Sequence, residues 1–360
     1  MQTETPVSDR QASSSTAAPR GARVVPVASF EHQVTGVTVT PQGRTFVNFP
    51  RWTEDAPVSV AELLPGGDLR PYPDEAWNAW RNSLKDQVMP GDHWVCVQSV
   101  VSDPQGHLWV IDPAAPAQER VVPGGAKLVE IDTANDRVLR TISFDASMAP
   151  QGSYLNDVRL SLDGAYAFIT DSGARGAIVV VDLRSGQIRR VLDGHASTQF
   201  EADVQVKSDG RVLRRTDGRG VEFSADGIAL SPDGQWLYWQ AVKGSTLYRA
   251  PTTALCDPSL EAEAMEGRVE RVGENGSADG LLMDSGGRLY ITAVEEHAVK
   301  VREDGQVRVL VQDKCLRWPD TLAQGPDGTL YVTDSRIPDM HWFQPANPMA
   351  LPTTLYRIEG

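Results

Sequence analysis

Short apolar runs alternate with polar residues along most of the chain, at the two-residue period of strands that bury one face. One unit recurs. It reads NDVRLSLDGAYAFITD (156–171), DGIALSPDGQWLYWQA (226–241), DGLLMDSGGRLYITA (279–293) and DTLAQGPDGTLYVTD (320–334), with weaker copies QSVVSDPQGHLWVID (98–112) and TGVTVTPQGRTFVNF (35–49). Each copy predicts a strand, a two-residue turn and a second strand. The turn glycines are Gly43, Gly106, Gly164, Gly234, Gly287 and Gly328, spaced 41 to 70 residues apart, which leaves room for four strands and their loops per repeat. Six such sheets predict an all-β fold, a six-bladed β-propeller. Outer strands are legible at 176–192, 245–251 and 298–312, and TTLYRIE (353–359) is expected to close the ring in the first or last blade.

Two stretches depart from the pattern. Residues 1–23 are rich in Ser, Thr, Ala and Pro and are predicted to be disordered, leaving 24–360 as a single propeller domain. A helical insertion is predicted over about 73–85, where Pro73 and Asp74 suit a helix start and Trp77, Trp80 and Leu84 fall on one face.

Eight residues before each turn glycine stand Thr35, Gln98, Asn156, Asp226, Asp279 and Asp320, all polar amid apolar neighbours. The first strand of a propeller blade lines the central channel, so these six positions predict a ring near one mouth. Asp112, Asp171 and Asp334 end the second strands and are expected at the same face. Such carboxylates have two uses. They cap loops by accepting backbone N–H bonds, or they form a site. Clustered carboxylates cannot all stay ionised and unpaired, so either their pKa values rise or a cation enters. Asn156, Asp226 and Asp279 are suitable oxygen donors for calcium or another divalent cation. A protonated amine would meet the same need, with Trp94, Tyr154 and Trp318 as aromatic neighbours for cation–π contact.

The 360 residues carry a net charge of −14, which disfavours nucleic acid and anionic membrane surfaces as partners and leaves small cationic or neutral molecules. No apolar run approaches the roughly 20 residues of a membrane span. The N-terminus as given has no signal-peptide core, so the compartment is open: internal if Met1 is the natural start, secreted or cell-envelope if a leader was removed. Cys96, Cys256 and Cys315 show no metal-ligand spacing and read as thiols. No P-loop or dinucleotide fingerprint occurs, so no nucleotide cofactor is expected; nor is there a nucleophile elbow or an H-E-x-x-H motif. His195, in LDGHASTQF, is a candidate proton-transfer group, or a loop histidine bonded to its own backbone.

The segments PRWTEDAPVSVAELLPGGDLRPYPDEAWNAW (50–80), SVVSDPQGHLWVIDPA (99–114), the stretch 156–198 and LRWPDTLAQGPDGTLYVTDS (316–335) resemble the Yellow/major royal jelly protein family. The resemblance runs from about residue 30 to the end. It implies a six-bladed propeller, and activities that range from dopachrome tautomerisation to amine binding in the channel. The paired cysteines of secreted insect members are missing, which points to a bacterial relative. A more distant likeness is to the gluconolactonase/senescence-marker propellers, which hold a divalent metal through a blade-one Glu, two Asn and an Asp. Asn156 and Asp279 match that pattern, Asp226 replaces an Asn, and Thr35 replaces the Glu.

Three readings follow. The first is a propeller that binds a small cationic or polyhydroxylated ligand at the channel mouth, with or without a divalent cation. The second is an enzyme, a dopachrome-type tautomerase or a metal-dependent lactonase, with Asp226, Asp279 or His195 catalytic. The third is an interaction scaffold presenting Trp77 and Trp80.

Overall fold

The computed structural model describes residues 21–52 and 55–360. The segment predicted to be disordered lies outside these residues as far as residue 20. Six four-stranded antiparallel sheets form the six blades of a propeller. Blade one begins at Val37–Val39, blade two at Ser99–Ser102, blade three at Leu155–Leu160, blade four at Ala225–Leu230, blade five at Ala278–Met283 and blade six at Pro319–Gln324. These six inner strands contact one another in sequence, and the sixth returns to the first. Blade six is the closure. Its third strand is Thr353–Glu359, as the sequence suggests, and its outermost strand is the N-terminal Arg23–Phe30, paired from Arg23↔Glu359 to Phe30↔Thr353.

The repeat turns differ from the prediction in one respect. Gly43 N–H bonds to Thr40 O (2.8 Å) and Thr40 N–H to Arg44 O (2.8 Å), which encloses three residues rather than two. The turns at Pro41, Pro104 and Pro326 share this form, while those after Ser161 and Ser231 enclose four residues. Proline fixes φ near −65°, which excludes the two-residue turn with two positive φ angles and favours a type I turn closed by a left-handed glycine. Gly43 and Gly328 both supply that conformation at φ +83°.

The segment 73–85 is not an α-helix. It consists of turns with one 3-10 turn at Asn82–Leu84. The carbonyl of Trp77, which a helix would give to residue 81, accepts the N–H of Trp94 (2.7 Å). Asn78 meanwhile bonds the backbone of Ser59, Val60 and Tyr72, a competing use of a short amide side chain. Trp80 is fully buried and Trp77 packs at a tilt against Trp94, ring centres 4.5 Å apart, so both tryptophans pack the surface of blades one and two. The short α-helices Thr252–Cys256 and Ala262–Glu266 instead join the last two strands of blade four.

The antiparallel alternation sets the two faces. Turns within each repeat unit lie on one face; loops after second and fourth strands lie on the other, at the start of the inner strands. On that face the connections are long. Residues 192–224 link blades three and four and carry the hairpin Lys207–Ser208/Arg211–Val212, while residues 335–352 span blade six. These two covers are clasped by ion pairs, Arg317 to Asp209 at 2.6 Å and to Asp339 at 2.7 Å. Val206, Leu213, Val221, Ile337, Met340 and Phe343 extend the apolar core beneath them.

Candidate functional site at the channel mouth

The ring residues divide into two groups. In blades three to six each inner strand carries an extra residue, with register shifts between Leu155/Val158, Ala225/Ile228, Ala278/Leu281 and Pro319/Leu322. Asn156, Asp226, Asp279 and Asp320 sit inside these bulges, a device that re-aims a side chain out of the pleat. In blades one and two, Thr35 and Gln98 precede the first strand residue.

Asn156, Asp226 and Asp279 meet, and Asp320 is joined to them through charge alone. Asn156 Nδ2 donates to Asp226 Oδ2 at 2.8 Å and to Ser172 Oγ at 2.9 Å. Asp226 and Asp279 are within hydrogen-bonding reach of each other, and Asp320 feels the charge of Asp279. Trp318 Nε1 donates to Asp279 Oδ2 at 2.5 Å. Relative exposures of 4% for Asp226, 7% for Asp279 and 3% for Asp320 remove all three from bulk water. Burial is the first cause of a rise in each pKa. It acts with the charges of Asp279 and Asp157 on Asp226 and Asp320, while for Asp279 the bonds from Trp318 and Asp226 limit the rise to about 6.

Two neighbours were not legible as site residues. Asp157, next to Asn156 in the bulge, adds its charge to all three aspartates. Arg159 lies 3.8 Å from Asp157 and donates to Leu281 O at 2.8 Å, so it crosses from the inner strand of blade three to that of blade five. The signal for both was the continued polarity of NDVR in a strand otherwise apolar.

The other expected residues are used elsewhere. Thr35 Oγ1 donates to Gln98 O (3.2 Å) and accepts from Asn48 Nδ2 (2.9 Å), tying blade one to blade two. Gln98 Oε1 accepts from Tyr154 OH at 2.8 Å, and that hydroxyl accepts from Trp52 Nε1 at 2.7 Å. Neither Thr35 nor Gln98 has a hydrogen bond to the bulged four. Asp112 caps the N–H groups of Val95, Cys96 and Ala114 and pairs with Lys127 at 2.9 Å. Asp171 caps Tyr154 and Gly173 and pairs with Arg190 at 2.6 Å. Asp334 accepts from Trp318 N–H at 2.6 Å. These three reach the expected face but serve as loop caps. His195 Nδ1 accepts the N–H of Ser197 (3.2 Å) within its own loop, the structural alternative for this residue. Trp94 donates to Tyr72 O and faces Lys127. All three cysteines are free thiols.

Beside the ring lies a cleft of about 530 Å³ whose wall includes Tyr154, Ser172, Phe200, Phe223 and Arg215. Ser172 belongs to both cleft and ring, since it accepts from Asn156. On the opposite face Asp103, His107 and Glu130 also converge. That group is already bonded: Asp103 accepts from Trp109 Nε1 (2.9 Å), and Glu130 accepts from Arg140 (2.6 Å) and faces His107 Nδ1 (2.8 Å).

Fold and site together define a six-bladed propeller with a buried, oxygen-lined channel mouth. The chain belongs to the major royal jelly protein family, whose family model matches residues 95–343. It is also similar to 6-deoxy-6-sulfogluconolactonase of Pseudomonas putida, 30% identical over 158 residues, or 43% of this chain and 47% of that enzyme. The match thus spans about half of that relative. Among solved structures it is similar to a gluconolactonase of Xanthomonas campestris (14% identity, TM-score 0.55, 94% of this chain and 89% of that one). A calcium-binding regucalcin of Agrobacterium tumefaciens gives 16% identity and TM-score 0.55, with 92% of each chain covered. At such identities the likeness is one of fold.

Proposed function

We propose that the channel mouth holds a divalent cation through Asn156, Asp226 and Asp279, and that a small polyhydroxylated molecule binds above it from the adjoining cleft, with lactone hydrolysis as the reaction. One observation carries this reading: Asn156, Asp226 and Asp279 are aimed by three separate bulges into one buried cluster, Asp320 in a fourth bulge adds its charge, and burial raises the pKa values of the three aspartates. The donor set, amide and carboxylate oxygens without thiols or imidazoles, suits a hard cation such as calcium. When bound, such an ion polarises a carbonyl and acidifies water. Trp318 orients Asp279, Ser172 orients Asn156, and the clasped covers keep bulk water from the ring. The printed activity of the Pseudomonas putida relative supports a lactone as substrate.

A protonated amine would also neutralise the aspartates. Arg215 in the cleft and Arg159 in the channel weigh against that ligand. The tautomerase reading draws less support from the ring, because His195 bonds to Ser197 in its own loop and has no hydrogen bond to Asn156, Asp226 or Asp279. The scaffold reading loses most of its surface, because Trp80 is buried and Trp77 is partly buried against Trp94.

The test is hydrolysis of D-glucono-1,5-lactone by the full chain with calcium chloride and then with a chelator. Turnover that vanishes on chelation, returns with calcium and is absent from Asp279→Ala supports the proposal. Turnover indifferent to chelation, or none under either condition, contradicts the hydrolytic reading.

A further inference from the structure

The cleft carries a charge pattern that the ring does not explain. Its volume of about 530 Å³ falls in the range of sites for small organic ligands. Glu119 and Glu222 are exposed at its rim, and Arg219, also exposed, is paired with Asp217 at 2.6 Å. Arg215 differs from all of these. It is partly buried, its guanidinium carbon lies 4.1 Å from the centre of the Trp342 ring, and its one side-chain partner is Gln118 Oε1 at 3.4 Å. No carboxylate pairs with it among the described residues; Asp217, Glu222 and Glu119 act on it only through their fields. Burial and the nearby Arg219 lower its pKa, the mark of a cation short of compensation.

We propose that this cleft is a subsite for a terminal oxyanion of the ligand, a phosphate, sulfonate or carboxylate, held by the guanidinium of Arg215. A guanidinium offers a planar fork of donors that matches such groups, and the face of Trp342 fixes its plane. Phe200 and Phe223 line the same cleft and present apolar surface to the body of the ligand, while Ser172 marks the path to the ring. The chain as a whole is acidic, so a recessed, unpaired arginine gives selectivity for an anion that the rest of the surface repels. This subsite rests on the reading of the ring as the reacting centre. It assigns the ligand a charged end distant from the carbon that reacts.

The probes are 1,5-anhydro-D-glucitol and its 6-phosphate, neither of which has a lactone to open, titrated calorimetrically into the full chain with calcium chloride present. The expected result is a preference for the 6-phosphate of roughly 10- to 100-fold, the worth of a charge-assisted contact. Arg215→Gln erases the preference and leaves the neutral probe within about twofold; Arg215→Lys restores part of it. Calcium binding by Arg215→Gln, measured separately, reports that fold and ring are intact. Equal affinity for the two probes, binding of neither, or a preference that survives Arg215→Gln overturns the subsite. The last outcome assigns the phosphate to the ring cation instead. A preference seen without any calcium binding upholds the subsite and sinks the cation reading; calcium binding without a preference does the reverse. Replacing the 6-phosphate by a 6-sulfonate or a 6-carboxylate ranks the three oxyanions.

Discussion

At the residue scale, Asp226 sits where burial, Asp279, Asp157 and Asp320 all oppose its charge. Without a cation this is a destabilised position. Asp226→Asn keeps the shape, removes the charge and still accepts from Asn156. In the presence of a chelator at pH 7.5 its melting temperature is expected to exceed that of the wild type by a few degrees, on the order of 1 kcal/mol. The same variant is expected to lose the stabilisation that calcium gives the wild type. A wild type more stable than Asp226→Asn in chelator would mean that the carboxylate is a structural cap.

The pH dependence follows from the same residues. Asp279 is raised to about 6 and Asp334 to about 7 by burial, so the folded chain holds protons that the unfolded chain releases near pH 4. Their contribution to stability is complete below the unfolded pKa and is lost as pH rises through 6 to 7. Melting in chelator is therefore expected to fall between pH 4 and 7, while the shift produced by calcium grows over the same interval. A cation-free melting temperature that climbs with pH across this range would contradict the assignment.

At the scale of elements, the bulges decide which ring residues meet. Gly227 and Gly280 follow Asp226 and Asp279, and a Cβ at either would lie 2.2 Å from the carbonyl oxygen of Asp279 or Asp320 on the next blade. Backbone cannot yield as a flexible side chain does. Gly280→Ala is expected to cost roughly 2 kcal/mol or more and to weaken calcium binding, since it parts blade five from blade six at the site. Differential scanning calorimetry with and without calcium checks both effects.

The elements also show what sequence could and could not reveal. The period-two pattern and the turn glycines were sufficient for six blades, and polarity eight residues before each glycine located the ring. Bulges leave no pattern of their own, because an inserted residue looks like one step of a strand. Asp157, beside Asn156, therefore gave no sign of belonging to the site, although its charge reaches all three ring aspartates. Thr35 and Gln98 share the ring position in sequence but bond to Asn48 and Tyr154, partners supplied by other segments of the chain. The helix expected over 73–85 failed for a similar reason: Trp94, from a later segment, takes the carbonyl of Trp77. Arg215 lies in a linker without periodicity, and only the folded covers set it against Trp342.

At the scale of the molecule, the ring of blades is fastened by the chain's two ends. Arg23–Phe30 supplies the outermost strand of blade six and pairs along its length with Thr353–Glu359. Loss of the strand Arg23–Phe30 is expected to lower the melting temperature by roughly 10 °C or more; circular dichroism of the full chain and of a variant lacking residues 1–30 tests this. The closed ring bears on the proposed function because the four bulged residues stand on four successive blades, from Asn156 on blade three to Asp320 on blade six.

The central claim is that this shared, buried group of oxygens binds a divalent cation. Calorimetric titration of calcium into chelator-stripped full-length protein at pH 7.5 tests it most directly. The account predicts one ion per chain, much weaker binding at pH 5 and none in the Asp226→Asn/Asp279→Asn double variant. Heat-silent titration of the folded wild type, or unchanged stoichiometry in the double variant, would contradict it.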